Sequence, residues 1–453
     1  MNTKNLNLFE SVVKQDLCIG CGACVYQSNS NELVMDWNKE GFLVPMRTNG
    51  LGEIDETTIN VCPFNPYPAN EVRTEDELAN LFLKEAPKSH PKIGKYFNTY
   101  VGYSEQFRLT SSSGGLATYI LNELFTRKLV DAVITVGEGE NNHYVYKFVR
   151  NQADLLATSK TKYYPVTMSE APNELKSFDG KVAVVGIGCF IKAVRLLQYY
   201  NPELREKIIF TIGIICGGLK SKFFGEYLAA KAGVQNNKFT KPQFRIKDYE
   251  STAGDYSFGC IDKQGTEKHV KMKSVGDVWG TGMFKCNACD FCDDVTTELA
   301  DISLGDAWIP PYSQDGKGTN VIVTRTALAE KLINDGIQSK SIDVQELPFE
   351  TFLSSQQGSF NHRHKAQGYR IQKNIKQGTI IPPKRHTKES IPFDFKWVQN
   401  QRREVRKNSL LFWSANPNVQ LFDKMMKKSL HKLKKITLVY HYKRALLNKL
   451  GLK

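Results

Sequence analysis

Continuous apolar runs alternate with helical periods through the middle of the chain, from about residue 96 onward. Segments with an apolar period of about 3.6 residues lie between the runs, at 116–125 and 191–200. Strands that are apolar on both faces are typical of a parallel sheet covered by helices. The pattern therefore predicts an α/β fold with a mostly parallel or mixed sheet flanked by helices. The predicted strands are residues 130–136, 181–188, 208–215, 302–305 and 321–324.

The formal net charge of +14 belongs to the C-terminal region rather than to the whole protein. Residues 384–453 hold 18 Lys and Arg against 4 Asp and Glu, whereas the remaining residues carry 43 of each sign. This distribution argues against a nucleic-acid-binding protein. Apolar residues of this region recur near one helical face, which predicts a basic helical tail. The tail either packs peripherally on the body or binds anionic lipid or an acidic protein.

Cysteines near the N-terminus carry the clearest chemical signal. Cys18, Cys21 and Cys24 follow the spacing C-x2-C-x2-C, and the distant Cys62 precedes a proline. Three thiolates with this spacing wrap a loop around a four-iron cluster, and a distant Cys-Pro supplies the fourth ligand. A structural zinc site or a disulfide framework is the alternative, although zinc sites usually use separated C-x2-C pairs. We therefore predict a 4Fe-4S cluster on these four cysteines.

A second cysteine triplet, Cys286, Cys289 and Cys292, repeats the spacing without a nearby fourth cysteine. Cys189 and Cys216 each follow the carboxyl end of a predicted strand. Open α/β sheets place their ligands at that edge, so these two thiols are expected to converge with the triplet. Each of them alone reads equally well as a buried, inert thiol. Taken together with the triplet, they predict a second cluster.

The motifs divide the chain into four regions. Residues 1–75 read as a ferredoxin-like α+β module, 76–95 as a linker, 96–383 as the α/β domain and 384–453 as the tail. We find neither a signal-peptide pattern nor the apolar run of about 20 residues that a membrane span requires. We therefore expect a cytoplasmic protein, in which thiolates ligate metals rather than form disulfides.

Three further stretches contain candidate cofactor contacts. Hydroxyls, glycines and free helix amides at residues 110–115 suit a cofactor phosphate, although an ordinary helix cap is the alternative. Residues 159–165 combine lysines, hydroxyls and aromatics, and either hold part of a flavin or form a solvated loop. The acid-rich stretch 292–308 either orders the loop of the second triplet or brings an acid near substrate. The standard dinucleotide and P-loop motifs do not occur.

These motifs together resemble the beta subunit of coenzyme F420-reducing hydrogenase/dehydrogenase. The resemblance rests on the Gly-x-Gly-Cys189 and Ile-Cys216-Gly-Gly strand ends, the Ser-Ser-Gly-Gly helix start and the second triplet through Trp308. They occur in the family's order over about residues 10–330. The sequence Asp-Ala-Trp-Ile-Pro-Pro-Tyr at 306–312 looks most like a bacterial branch whose members often accompany surface-polysaccharide synthesis.

The resemblance implies two 4Fe-4S clusters and a flavin, with FAD favoured over FMN. The family's C-x2-C-x-Asp pattern maps onto Cys289, Cys292 and Asp294, so Cys286 becomes a substitute and Cys260 has no role. The implied ligands of the second cluster are Cys189, Cys216, Cys289 and Cys292. The flavin-site candidates are Ser112, Ser113, Gly114, Gly115, Lys162, Tyr163 and Asp306.

We therefore expect an iron–sulfur flavoprotein oxidoreductase. Electrons would pass from a ferredoxin-type donor through the clusters to FAD and on to a small organic acceptor, in surface-polysaccharide biosynthesis. One alternative is an electron-transfer subunit of a larger redox complex. Another is a non-redox polysaccharide-assembly protein with a structural cluster. The basic tail would permit peripheral contact with the inner face of the membrane or with an acidic protein, and no catalytic residue is identified.

Overall fold

The computed structural model describes residues 7–28, 32–48, 56–139, 144–234 and 238–451, apart from the side chains of residues 172 and 173. Its centre is an eight-stranded mixed sheet, accompanied by two hairpins and a three-stranded antiparallel sheet. The strands are β1 (Leu33–Trp37), β2 (Leu43–Arg47), β3 (Lys88–His90), β4 (Gly94–Tyr96), β5 (Thr99–Tyr103), β6 (Ala132–Glu138), β7 (Tyr144–Val149), β8 (Val182–Ile187), β9 (Ile208–Ile214), β10 (Phe239–Ile246), β11 (Ser257–Asp262), β12 (Glu267–Lys271), β13 (Ile302–Asp306), β14 (Asn320–Thr324) and β15 (Asp343–Glu346).

The central sheet has the strand order β15-β5-β14-β13-β9-β8-β6-β7. Its middle four strands, β13, β9, β8 and β6, run parallel. The outer strands β14, β5, β15 and β7 pair antiparallel with their neighbours. The predicted mixed α/β sheet is therefore confirmed, and its parallel part is confined to the centre.

Helices cover both faces of this sheet, as continuous apolar strands require. On one face, Val133 and Ala183 pack with residues of helices α4 and α11. On the other face, Ile134 and Val184 pack with α7 and with the N-terminal cysteine module. The helices are α1 (Ala23–Gln27), α2 (Glu75–Phe82), α3 (Glu105–Arg108), α4 (Leu116–Thr126), α5 (Gln152–Ala157), α6 (Ala171–Ser177), α7 (Gly188–Tyr200), α8 (Pro202–Lys207), α9 (Lys222–Lys231), α10 (Met272–Val275), α11 (Ala327–Gln338), α12 (Phe349–Ser355), α13 (Gln357–Phe360), α14 (Gln367–Ile375), α15 (Phe393–Ala415) and α16 (Val419–Lys449).

The predicted central elements lie close to their expected positions. The apolar runs at 130–136, 181–188 and 208–215 correspond to β6, β8 and β9, with ends that differ by no more than two residues. Helix α7 starts at Gly188, directly after β8, so Cys189 lies in its first turn. The late strands β13 and β14 join the same sheet, as expected.

Residues 76–95, predicted as a linker, contain ordered secondary structure. Helix α2 begins with a capping box, in which the Glu77 carboxylate accepts the Thr74 N–H at 2.7 Å. The antiparallel pair β3–β4 follows, and Leu78, Leu83 and Ile93 are buried. This segment therefore packs on the body, and the division at residues 75 and 96 remains a prediction.

The basic tail forms two helices, α15 and α16, and its first part is embedded in the protein. The Trp413 ring packs against Tyr227, Phe284 and Phe422, with ring centroids 5.3–6.1 Å apart. Near the start of the tail, the Arg385 guanidinium donates to both carboxylate oxygens of Glu298 at 2.7 and 2.9 Å. The tail therefore contributes core contacts as well as a basic surface.

None of the helices in the described ranges is long and apolar enough to cross a lipid bilayer.

Replacing Arg406 with alanine is expected to lower the free energy of unfolding by about 1.5–3 kcal/mol, because the buried Asp290 carboxylate loses a charged hydrogen-bond donor and keeps only Lys285 and His362 nearby. The buried Arg406 guanidinium donates to Asp290 and, at 2.7 Å, to the side chain of Asn287. Burial alone would raise the pKa of Asp290, but Arg406 and Lys285 hold it well below its usual range. Denaturant unfolding measures the change.

Lys407→Ala is the matched control, because this neighbouring lysine of α15 is exposed. Its effect should stay within about 0.5 kcal/mol. Equal unfolding free energies for the two variants would mean that the Arg406–Asp290 contact does not anchor the tail.

Candidate functional site

Four cysteines from distant parts of the chain line one small cavity at the carboxyl end of the parallel strands. Cys189 follows β8 and Cys216 follows β9. Cys289 and Cys292 come from a 3-10 turn at Asn287–Phe291 and its end. We call these four residues the inner quartet. Cys286 does not line this cavity, and its thiol contacts the main-chain oxygen of Cys18 at 3.5 Å.

Main-chain amides are directed at the sulfurs of the inner quartet. The Gly218 N–H donates to Cys216 Sγ and the Leu219 N–H donates to Cys289 Sγ, both at 3.2 Å. Burial raises the pKa of Cys189, Cys216 and Cys292. A hydrogen bond from Cys286 instead lowers the pKa of Cys289 to about 6. Amides directed at thiolate sulfur are the contacts that a protein uses to tune an iron–sulfur cluster.

The N-terminal quartet consists of Cys18, Cys21, Cys24 and Cys62. Burial raises the pKa of Cys24, and the neighbouring thiols of Cys21, Cys18 and Cys62 raise it further, which shows that the four lie together. The loop between them requires a glycine at position 22, where φ is +81° and an added Cβ would lie 2.3 Å from Thr167 Oγ1. The Gly20 N–H approaches Cys18 Sγ at 3.4 Å.

Both quartets offer four thiols with main-chain amides at sulfur, a donor set that suits a four-iron cluster. Among the residues that the structure describes, no group of three or more His, Cys, Asp or Glu side chains is arranged around a point that one metal ion could occupy.

A large cavity of about 1090 Å³ lies beside the inner quartet. Its volume slightly exceeds the range of about 300–1000 Å³ that is usual for small-molecule and cofactor sites. Six of the seven flavin-site candidates line it, namely Ser112, Ser113, Gly115, Lys162, Tyr163 and Asp306. Gly114 is the exception, because it packs against the sheet, where an added Cβ would lie 2.7 Å from Asn320 Oδ1.

The hydroxyls of the cavity wall join separate loops. The Thr161 N–H donates to Ser112 Oγ at 2.8 Å, which ties the loop at 159–165 to the start of α4. Ser113 Oγ donates to the Thr319 main-chain oxygen at 3.2 Å. Gly115 caps α4 with φ of +82°, a conformation that favours glycine. The two stretches selected from sequence thus form one continuous wall.

The charged and aromatic candidates are held by protein contacts. Lys162 Nζ donates to the main-chain oxygen of Ser159 at 2.9 Å, and burial lowers the pKa of Lys162 to about 8. Asp306 accepts a hydrogen bond from Arg245 at 2.7 Å. The Tyr163 ring packs edge-on against Trp279, with ring centroids 4.6 Å apart. These side chains therefore present a preorganised surface to the cavity.

Sequence reasoning missed several wall residues that come from the small antiparallel sheet and from loops. Arg245 lies in β10, and Trp279 packs next to Gly217, one residue after Cys216. Lys220 Nζ donates to the main-chain oxygens of Val278 and Met283 at 2.7 and 2.6 Å, and burial lowers its pKa to about 7. None of these residues lies in a recognisable motif. The Ile-Cys-Gly-Gly motif, which ends two residues before Lys220, was the nearest signal in the sequence.

The two quartets and the large cavity adjoin one another. Cys216, Ile187 and Leu219 line both the inner-quartet cavity and the large cavity. On the other side, Ile19 of the N-terminal cysteine loop lines the inner-quartet cavity, and the field of Cys21 acts on Cys189. The order in space is therefore N-terminal quartet, inner quartet, large cavity.

If the large cavity holds FAD, as the sequence predicts, replacing Ser112 with alanine should weaken FAD binding roughly 2- to 10-fold, the effect of losing one hydrogen bond of about 0.5–1.5 kcal/mol. The Ser112–Thr161 contact joins the two loops of the cavity wall, and the substitution leaves the Thr161 N–H without its acceptor. Fluorescence titration of the flavin-depleted protein with FAD measures the dissociation constant.

Ser177→Ala is the control, because the Ser177 hydroxyl makes an exposed local contact with the Glu174 main-chain oxygen. Equal dissociation constants for the Ser112→Ala and Ser177→Ala variants would remove Ser112 from the flavin site.

Comparisons with known proteins agree on one family, that of the coenzyme F420 hydrogenase/dehydrogenase beta subunits. The model of the N-terminal part of these beta subunits matches residues 99–172. The model of their C-terminal part matches residues 179–349. The two models together match more than half of the chain.

Three similar proteins come from Methanocaldococcus jannaschii, Methanosarcina mazei and Methanosarcina barkeri. The coenzyme F420-dependent sulfite reductase of Methanocaldococcus jannaschii is 27% identical over 350 residues, covering 74% of this chain and 48% of that protein. This chain thus spans about half the length of that relative. The F subunit of the F(420)H(2) dehydrogenase of Methanosarcina mazei is 25% identical over 71% of this chain and 82% of its own length. The beta subunit of the coenzyme F420 hydrogenase of Methanosarcina barkeri is 25% identical over 56% of this chain and 84% of its own length.

One solved structure, from the F420-reducing [NiFe] hydrogenase complex of Methanosarcina barkeri, aligns with a TM-score of 0.48 and 20% identity. The alignment covers 64% of this chain and 94% of that one.

Proposed function

Because the chain belongs to the family of coenzyme F420 hydrogenase/dehydrogenase beta subunits, we propose that it is an iron–sulfur flavoprotein oxidoreductase. It would pass electrons from a ferredoxin-type donor to a small organic acceptor. The observation that carries the proposal is spatial. Two cysteine quartets and a cofactor-sized cavity adjoin in series, and Cys216 lies in the wall between the last two.

The proposed cofactors are two 4Fe-4S clusters and one FAD. Clusters carry single electrons, and a flavin exchanges single electrons with clusters and electron pairs with organic substrates. Cys18, Cys21, Cys24 and Cys62 would hold the outer cluster. The inner quartet, Cys189, Cys216, Cys289 and Cys292, would hold the other cluster.

The chain's own residues would bind and orient the flavin. The hydroxyls and amides at the start of α4 are suited to its phosphates, because helix N-termini favour anions. The Tyr163–Trp279 pair offers an apolar aromatic surface close to Gly217. The Arg245–Asp306 ion pair lies in the same wall and is almost fully buried on its arginine side. Burial of these groups would limit the access of water to the reacting end of the cofactor.

Rapid mixing of the anaerobic holoprotein with reduced ferredoxin tests this function. The flavin absorbance should bleach in a reaction that requires both quartets, and a suitable acceptor should restore it. Reduction of iron–sulfur absorbance with no change in the flavin would contradict the proposed path. The relatives named for F420 make a deazaflavin the first acceptor to supply.

A second candidate function is an electron-transfer subunit of a larger redox complex. Two of the relatives described above are named as subunits, of an F(420)H(2) dehydrogenase and of an F420 hydrogenase. This function would be favoured if the isolated chain has no oxidoreductase activity but co-purifies stably with a partner protein. The association with surface-polysaccharide synthesis stays a prediction, as does a non-redox role in assembling such polymers.

The distal part of α16 is proposed as a contact with anionic lipid at the inner membrane face, which fits a cytoplasmic location. Val439, Tyr442, Leu446 and Leu450 are exposed apolar residues spaced three or four apart, so they share one helical face. Lysines lie beside this stripe, and a basic amphipathic helix is suited to a negatively charged bilayer surface. The alternative that binding experiments can reveal is that this helix binds an acidic protein.

Replacing Lys435, Lys443 and Lys449 together with glutamine is expected to weaken binding to phosphatidylglycerol vesicles at least about tenfold. Each lysine near an anionic surface contributes about 1 kcal/mol. Vesicle co-sedimentation measures the binding, with phosphatidylcholine vesicles as the neutral comparison. Binding that is equal for both lipids, or unchanged in the variant, would exclude the lipid contact. The matched control variant replaces three exposed lysines outside the tail, Lys84, Lys241 and Lys340.

A further inference from the structure

Arg363 lies at the inner quartet but outside the part of the chain that the family models match. It belongs to a π-helical turn at Asn361–Lys365, whereas the second match ends at residue 349. Its side chain is 5% exposed and lines the same small cavity as the four cysteines. From sequence alone, this segment has no assigned function.

The Arg363 guanidinium joins the two loops that carry the inner cysteines. One terminal nitrogen donates to the main-chain oxygen of Cys216, and the other donates to that of Asp294 at 2.6 Å. Asp294 follows Cys292 by two residues, so the contact fixes the end of the second triplet. A single planar group thus spans the loop after β9 and the loop after the 3-10 turn.

The positive charge of Arg363 has no carboxylate partner in an ion pair among the described residues. Two neighbouring buried cations do meet carboxylates: Arg406 pairs with Asp290, and Arg385 pairs with Glu298. Burying an unpaired cation costs several kcal/mol unless a nearby anion offsets it. The groups in the wall of the same small cavity that can carry negative charge are the four thiols of the inner quartet and the Asp294 carboxylate.

We propose that Arg363 is a positioning residue that clamps the two loops of the inner cluster and raises the reduction potential of that cluster. This inference rests on the proposed function, since it requires a cluster on the inner quartet. Reduction adds one negative charge to a cluster, and a fixed cation in a low-dielectric wall stabilises that charge.

The test is a redox titration of the anaerobic holoprotein monitored by electron paramagnetic resonance. Arg363→Gln removes the charge but keeps an amide donor, and Arg363→Lys keeps the charge but loses the two-pronged geometry. We expect Arg363→Gln to shift the one-electron reduction equilibrium of the inner cluster at least about tenfold toward the oxidised form, about 59 mV lower. The outer cluster should keep its potential.

Arg370→Gln is the matched control. Arg370 is also fully buried and donates to the main-chain oxygen of Asp290, but it does not line the cysteine cavity. Its replacement should leave the inner potential unchanged. An Arg363→Gln variant with full iron content and an unchanged inner potential would overturn the proposal.

If Arg363→Gln loses the inner irons, the potential is read from Arg363→Lys. Arg363→Lys keeps the positive charge, so we expect its inner cluster to stay within about twofold of the wild-type reduction equilibrium. A fully loaded Arg363→Lys variant whose equilibrium shifts tenfold or more would overturn the proposal. If the wild-type protein itself lacks the inner irons, the proposed function fails instead, and the iron content separates the two cases.

Discussion

Replacing Cys216 with alanine is expected to remove about half of the protein's iron, about four of about eight atoms, and to abolish reduction of the flavin by ferredoxin. Cys216 lies in the wall shared by the inner-quartet cavity and the large cavity. Its sulfur also accepts the Gly218 N–H at 3.2 Å. Loss of this thiol removes a ligand at the point where the cluster and the flavin would meet.

The flavin itself should stay bound in the Cys216→Ala variant, because its candidate contacts at the start of α4 lie on another part of the cavity wall. Cys260→Ala is the matched control. Cys260 is also a buried thiol, but it lies in β11, away from both quartets. The iron content of the two variants and their rates of flavin reduction after rapid mixing with reduced ferredoxin are compared. Full iron content in Cys216→Ala, or equal iron loss in Cys260→Ala, would exclude Cys216 as a ligand.

Replacing Cys21 with alanine is expected to remove a similar amount of iron while flavin content stays unchanged. Cys21 lies among the four thiols of the N-terminal quartet, and its field reaches Cys189 of the inner quartet. It does not line the large cavity. Ferredoxin should therefore reduce the flavin at least about tenfold more slowly, because the proposed outer cluster that receives its electrons is lost.

Chemical reduction separates the two cysteine variants. A small, strong reductant can reach the inner site without the outer cluster, so dithionite should still bleach the flavin in Cys21→Ala. The expected differences are measured by iron content and by the two rates of flavin bleaching. Unchanged iron content in Cys21→Ala would exclude the N-terminal quartet as a cluster site. An unchanged rate of flavin bleaching by ferredoxin would mean that electrons do not enter through this quartet.

Local sequence signals account for much of the fold and for the cysteine positions. The spacing of Cys18, Cys21 and Cys24 is short, so the chain has few ways to arrange them apart. The continuous apolar runs identified β6, β8 and β9, because strands buried on both faces have no polar side. Placing Cys189 and Cys216 after such strands was enough to predict their convergence.

Contacts between distant segments left no comparable signal. Arg363 reaches the main-chain oxygens of Cys216 and Asp294, and main-chain acceptors carry no sequence pattern. His362, which was given no role, hydrogen-bonds to Lys285 at 2.7 Å. The buried part of the tail was hidden by its many lysines, which mask the apolar face that includes Trp413. Charge composition describes the surface of such a helix and not what its other face contacts.

The role of a glycine was also hard to predict from sequence, because it depends on contacts with distant segments. Gly114 and Gly115 both looked like parts of a cofactor loop, yet only Gly115 lines the cavity. Gly114 instead allows α4 to approach β14, where Asn320 Oδ1 would contact any Cβ. A sequence shows that glycine occurs but not which neighbour requires it.

Quantification of iron, acid-labile sulfide and released flavin after anaerobic purification tests the central claim most directly. The account predicts about eight irons, about eight sulfides and one FAD per chain, the content of two four-iron clusters and one flavin. About four irons with no flavin would contradict the two-cluster flavoprotein. That result would leave an electron-carrier subunit whose flavin belongs to a partner.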